Sequence, residues 1–145
     1  MKFEGSVDII DKKKRNTPPM VIKLSNIPNS GNGLFTKENI EKGQHLGWYY
    51  GDIYESHPNN DSDYILEIQM KPCWVSASIW NNKKNKNMFI DGCPKDKSLV
   101  FYKFSMLNHS NSPNVKFLQN GRIVSLRKII NGEELLVNYG NEYWD

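Results

Sequence analysis

The chain is poor in cysteine, has no long apolar run, and carries no metal-ligand spacing. Cys73 and Cys93 are its only cysteines in 145 residues. Two are too few for a disulfide framework or a cysteine-rich zinc cluster. Free thiols fit an intracellular protein. No stretch approaches the roughly 20 apolar residues of a membrane span, so no membrane contact is expected. The start, Met1-Lys2-Phe3-Glu4-Gly5, lacks the apolar stretch of a signal peptide. His45, His57 and His109 have no second His or Cys at ligand spacing, and no metal is expected. Glycine is not arranged for a nucleotide. Gly31-X-Gly33 has no third glycine opening a helix, and no Gly-Lys-Ser/Thr follows it.

What is present is one domain's length of chain that is 38% hydrophobic and 12% aromatic, enough to bury a core. The net charge of +3 conceals an uneven distribution. Residues 51–70 hold Asp52, Glu55, Asp61, Asp63 and Glu67, and residues 133–145 hold Glu133, Glu134, Glu142 and Asp145, with no Lys or Arg in either stretch. These nine carboxylates leave seven against nineteen cations elsewhere, a net of +12. Taken alone, both stretches read as solvated surface.

Residues 1–19 read as an N-terminal extension and 20–145 as a single domain. In the extension, Val7-Asp8-Ile9-Ile10 can pair as a strand, while Lys12-Lys13-Lys14-Arg15 followed by Pro18-Pro19 reads as a basic linker. Strands are predicted at 20–24, 45–50, 64–70, 88–90, 115–118, 122–126 and 134–137. Asn120-Gly121 predicts a hairpin turn with positive φ at both residues, and Asn131-Gly132 marks a second turn. A short helix is expected over 98–107, one helical turn over 36–40, and a polar loop over 81–87. The fold class is therefore mostly β with little helix.

Three segments could carry chemistry. Ser30-Gly31-Asn32-Gly33 lets backbone approach a ligand closely, or forms a tight turn. Asn108-His109-Ser110-Asn111-Ser112-Pro113-Asn114 packs hydrogen-bonding side chains beside an apolar segment, and alone could be a capped turn. Residues 132–144 place Tyr139 after an apolar strand, then two large aromatics, Tyr143 and Trp144, which stay ordered only where they cover something.

Taken in order, Gly31-X-Gly33, Gly47-Trp48-Tyr49-Tyr50-Gly51-Asp52, Asn108-His109-Ser110-X-X-Pro113-Asn114 and Gly132-Glu133-Glu134-Leu135-X-X-X-Tyr139-Gly140 resemble the SET-domain family of protein-lysine methyltransferases. The resemblance covers about residues 20–145, and the ending is similar to minimal viral-type SET proteins. It implies a fold of several short twisted sheets with a C-terminal pseudoknot, and S-adenosylmethionine as cofactor. It implies cofactor contacts from Ser30, Gly31, Asn32, Gly33, Tyr64, Asn108, His109 and Tyr143. It makes Tyr139 and Tyr49 the catalytic tyrosines, with Phe117 and Val137 completing the lysine channel. Phe117 and Val137, both apolar, then favour more than one methyl. The family often has Arg-Phe-Ile before Asn-His-Ser, where this chain has Ser105-Met106-Leu107. No cysteine-rich module flanks the domain, so Tyr143 and Trp144, or a second subunit in a homodimer, are expected to close the channel.

The implied substrate is a basic peptide such as a histone tail, drawn by the two acidic stretches, with nucleosomal DNA as a secondary contact of the basic remainder. Such an enzyme is expected in a nucleus. The alternatives are a SET-fold binding module with little or no catalysis, and a small basic nucleic-acid binder resting on Lys12–Arg15 and residues 81–86.

Overall fold

The computed structural model describes residues 6–9, 17–58, 62–83, 87–93 and 102–139. Among these residues, eleven short strands form three small sheets around one core, in keeping with the expected β class. The largest sheet has the order β1 (Ser6–Ile9), β2 (Met20–Leu24), β3 (Asn32–Thr36), β11 (Glu134–Val137), β8 (Asn108–His109). The second is β4 (His45–Trp48), β10 (Arg122–Ser125), β9 (Val115–Phe117). The third is β5 (Asp52–Tyr54), β7 (Met88–Asp91), β6 (Ile65–Ile68).

Alternation explains the outer strands. In β6, Leu66 and Ile68 are buried while Ile65 and Glu67 are half-buried, as expected for a strand with one face on the core. The central strand β3 is buried at every position, so it shows no alternation. Its residues Asn32-Gly33 read as turn, and the strand went unpredicted. The inner faces meet at Met20, Ile22, Leu34, Leu46, Ile90, Phe104 and Phe117, each at most 1% exposed. Ile40 and Ile129, both fully buried, form an isolated bridge that ties the segment after β3 to the segment after β10.

The C-terminal strand crosses the fold. β11 pairs antiparallel with β3 and parallel with β8, which places it between segments distant in sequence. Asn114 secures the crossing. Its Nδ2 donates to the Glu134 carbonyl at 2.8 Å, and its Oδ1 accepts from the Leu136 N–H at 2.7 Å. A side chain thus takes the place of a strand partner for two backbone groups of β11.

Several sequence expectations are corrected. Residues 36–40 make no helical turn. The Thr36 hydroxyl donates to the Glu38 carbonyl and accepts from the Glu38 N–H, diverting the backbone from a helix. Within 98–107, the described part is a 3-10 turn at Lys103–Met106, ended by Leu107 in extended conformation. Residues 94–101 lie outside the described residues. The β9–β10 hairpin forms, but only Gly121 has positive φ (81°). Gly121 N–H donates to the Leu118 carbonyl, and Leu118 N–H to the Arg122 carbonyl. This is a three-residue turn with a glycine bulge in place of a two-residue one. The Asn120 carboxamide accepts from the Arg122 N–H and holds that arrangement. A short helix, α1 (Ala77–Asn81), capped by the Ser76 hydroxyl, was not expected; at five residues it is too short to show a periodic apolar stripe. Within the extension, β1 pairs antiparallel with β2 from Met20 to Lys23.

Candidate active site

Tyr139 follows β11 by two residues, and the parallel β8–β11 pair brings it against the Asn108-His109 segment. Its N–H donates to His109 Nδ1 at 3.0 Å, and its hydroxyl donates to the Leu107 carbonyl at 2.6 Å. The His109 ring stacks on the Tyr139 ring with centroids 6.2 Å apart. The residue as a whole keeps 44% of its surface, yet burial raises its phenol above the ordinary pKa, helped by Tyr64.

Two cavities share Tyr139, Tyr64 and Asp63 in their walls. One, of about 200 Å³, is lined by Ser30, Asn32, Asp63, Tyr64, Ser105, Met106, Leu107, Asn108 and Tyr139. Its walls are mostly hydroxyl, carboxamide and carbonyl groups with one carboxylate, and no Lys or Arg lines it. The other, of about 210 Å³, is lined by Tyr49, Asp63, Tyr64, Ile65, Leu66, Phe117 and Tyr139. Aromatic and aliphatic residues make most of its lining, with the Asp63 carboxylate and polar atoms of the three tyrosines among them. Tyr49 meets Phe117 edge-on at 5.5 Å, and Phe117 lies 6.1 Å from Tyr139. The Tyr49 hydroxyl donates to the Tyr64 carbonyl at 2.6 Å. Burial pushes this phenol up as well, with Tyr139 second in effect. Tyr64 is raised in the same direction by burial, Cys93 and Asp63.

Both tyrosine hydroxyls therefore spend their protons on backbone carbonyls. What remains for an entering group is oxygen lone pairs. The aromatic cavity can accept hydrogen bonds at its inner end, which suits an amine.

The expected site residues are distributed as follows. Ser30, Asn32, Tyr64 and Asn108 line the polar cavity, and Tyr49, Phe117 and Tyr139 the aromatic one. Gly31 borders Ser30 with φ of 68° and open space where a Cβ would stand. At Gly33 a Cβ would collide with Glu134 Oε2 and lie 3.2 Å from Asn108 Nδ2. His109 is exposed and borders neither cavity. Val137 is fully buried in the core and borders neither cavity, so the expectation of extra methyls keeps only Phe117 behind it. Tyr143 and Trp144 lie outside the described residues, as do Asp61, Glu142 and Asp145.

Glu134 overturns part of the acidic-stretch reading. It is 6% exposed and accepts hydrogen bonds from the Ser25 hydroxyl, the Asn26 N–H and Asn108 Nδ2. Its carboxyl group is spent on hydrogen bonds within the fold and is not solvated surface. At the surface, Glu133 accepts from the Ile130 N–H and, with smaller effect, from Arg127, and both lower its pKa. Asp91, 3% exposed, accepts from Ser62 and Cys93 beneath the aromatic cavity. Sequence reasoning missed Asp91 as well, although a lone acid ending the apolar strand Met88-Phe89-Ile90 is a usable signal. Ser105, in the position where the resembled family often has Arg, is buried and donates to the Gly92 carbonyl at 2.5 Å.

Several small sheets, one of them joined through β11, agree with the SET fold that the resemblance implied. The family model for the SET domain matches residues 31–140, and the chain belongs to that family. The methyltransferase domain of human PR domain-containing protein 2 is similar over 83% of this chain and 76% of its own, at 24% identity and a TM-score of 0.56. The methyltransferase domain of human histone-lysine N-methyltransferase SETMAR is similar over 84% of this chain and 45% of its own, at 22% identity and a TM-score of 0.54. A chain of ctPRC2 in an autoinhibited conformation bound to S-adenosylmethionine is similar over 84% of this chain and 15% of its own, at 19% identity and a TM-score of 0.53. The sequence finds no match among curated proteins.

Proposed function

We propose that this chain is a methyltransferase that moves a methyl group from S-adenosylmethionine to the ε-amine of a protein lysine, with a basic tail such as that of a histone as substrate. The observation that carries this reading is a polar and an aromatic cavity that share Tyr139, Tyr64 and Asp63 in their walls. The donor set suits the cofactor. Its ammonium and sulfonium are cations, and the polar cavity offers oxygen acceptors and the Asp63 carboxylate with no competing cation. Ser30, Asn32, Tyr64 and Asn108 would hold it. When bound, it supplies an electrophilic methyl on a positively charged sulfur.

The chain's own residues then have three tasks. The aromatic walls Tyr49 and Phe117 disfavour an ammonium against the opposing pull of the Asp63 carboxylate in the same wall, and that balance matters because freeing a lysine amine at pH 7 costs about 4.6 kcal/mol. The Tyr139 oxygen accepts an N–H of the amine and turns the nitrogen lone pair toward the polar cavity. The rigid bonds of Tyr139 to Leu107 and His109 fix that line, and alignment of this kind supplies several kcal/mol. With both phenols raised by burial, neither serves as a base near neutrality, and the proton leaves through water.

The test is transfer of radiolabel from S-adenosylmethionine to histone peptides, with mass spectrometry of the product. Labelled lysine, together with a melting temperature raised by the cofactor, supports the reading. Cofactor binding with no transfer to any histone or extract supports a binding module instead.

A further inference from the structure

The best-connected acid near the site is Glu134, which touches neither cavity's contents. Its Oε2 accepts from Asn108 Nδ2 at 3.1 Å, and the same amide nitrogen donates to the Asn32 carbonyl at 3.0 Å. A carboxamide nitrogen has two hydrogens, and both are thereby used. The two acceptors fix which way the Asn108 amide is turned. Its Oδ1 must point away from them. Asn108 lines the polar cavity, and with both amide hydrogens used its Oδ1 is the side-chain polar atom left to meet a ligand.

The carboxylate is itself held. Ser25 Oγ lies 2.7 Å from Oε2 and 3.0 Å from Oε1, and Asn26 N–H donates to Oε1 at 3.0 Å. Gly33 leaves the space this arrangement needs, since any Cβ there would collide with Oε2. Every neighbour of the carboxylate is a donor. A carboxylate, an acceptor at both oxygens, satisfies all of them; a carboxamide cannot, because its NH₂ would face either Asn26 N–H or Asn108 NH₂.

We propose that Glu134 is a positioning residue of the cofactor site, turning the Asn108 carboxamide so that its oxygen receives the ammonium of the cofactor's amino acid end. The inference rests on the S-adenosylmethionine reading above. It assigns a role to an acid that never contacts the ligand.

The experiment is calorimetric binding of two ligands to the full chain: S-adenosylhomocysteine and its desamino analogue, which lacks only the ammonium. The wild type should bind the first more tightly. In Glu134→Gln that preference should shrink roughly tenfold, while affinity for the desamino analogue changes less than twofold. Ser25→Ala, which loosens the carboxylate without touching Asn108, should reduce the preference about threefold and decides the matter if Glu134→Gln does not fold. Equal weakening of both ligands in these variants means a merely structural role and overturns the proposal, as does an unchanged preference. A wild-type chain that binds neither ligand overturns the cofactor reading itself, and is distinguishable because no variant is needed to see it.

Discussion

Tyr139 shows how one hydroxyl can be fixed before any ligand arrives. Its proton lies on the Leu107 carbonyl and its own N–H on His109, so the ring has little freedom to turn. Tyr139→Phe keeps the ring and removes the acceptor that orients the amine. Methyl transfer should fall on the order of 100-fold in kcat, with cofactor affinity changed less than threefold. Single-turnover transfer and calorimetry measure the two separately. Because burial raises the phenol, the wild-type rate should climb with pH above 7 as the substrate amine loses its proton, with no inflection that Tyr139→Phe abolishes. An inflection near neutrality lost in the variant would make the phenol a base after all. His45 supplies a stability test of the same kind. Burial, Arg122 and Lys103 lower its pKa, and Arg122 Nε donates to its Nδ1 at 2.8 Å. A histidine depressed in the fold stabilises above its unfolded pKa of about 6.5, and that stability is lost as pH falls through the folded value. The melting temperature should therefore drop between pH 7 and pH 5, and drop less in His45→Asn, which keeps an acceptor for Arg122 without a titrating ring.

Among the elements, β11 decides whether a site exists at all. It is the only strand that touches both β3 and β8 among the described residues, and Asn114 supplies two of its backbone bonds. Asn114→Ala leaves a buried carbonyl and a part-buried N–H unpaired and should cost about 2–4 kcal/mol of stability in urea unfolding. A loss under 0.5 kcal/mol would show that water replaces the side chain without penalty. The strand itself was legible, because Leu135-Leu136-Val137 is apolar and Asn131-Gly132 announces it. So were β2, β6 and β10, whose apolar residues sit between turn signals. What could not be read was context. Asn32-Gly33 looks like turn, yet it begins a strand whose glycine makes room for a carboxylate 101 residues away. Glu133 and Glu134 look like one solvated pair, yet the first caps a turn at the surface and the second is buried among donors. The two-residue strand β8 has no local signal, since it exists only as a partner for β11.

Over the whole molecule, the +3 net charge divides into a basic body and acids that differ in availability. Glu134 is buried among donors within the fold, while Glu133 is partly exposed and bonded to Arg127. Asp63 is the contrasting case. It is exposed and lies in the walls of both cavities, where an incoming lysine and a cationic cofactor would each feel its field. A tail with several cations gains more from such a field than a ligand with one net charge. Asp63→Lys should therefore raise the peptide KM about tenfold at low salt and the cofactor KM about threefold. Both differences should shrink at 0.5 M salt, where the Debye length falls to roughly 4 Å. Steady-state kinetics at two salt concentrations, with a histone peptide and with the same peptide lacking all cations but the target lysine, separate the contributions. If the stripped peptide is as sensitive to the substitution as the full one, Asp63 acts on the reacting amine alone, and the acidic stretch does not select the tail.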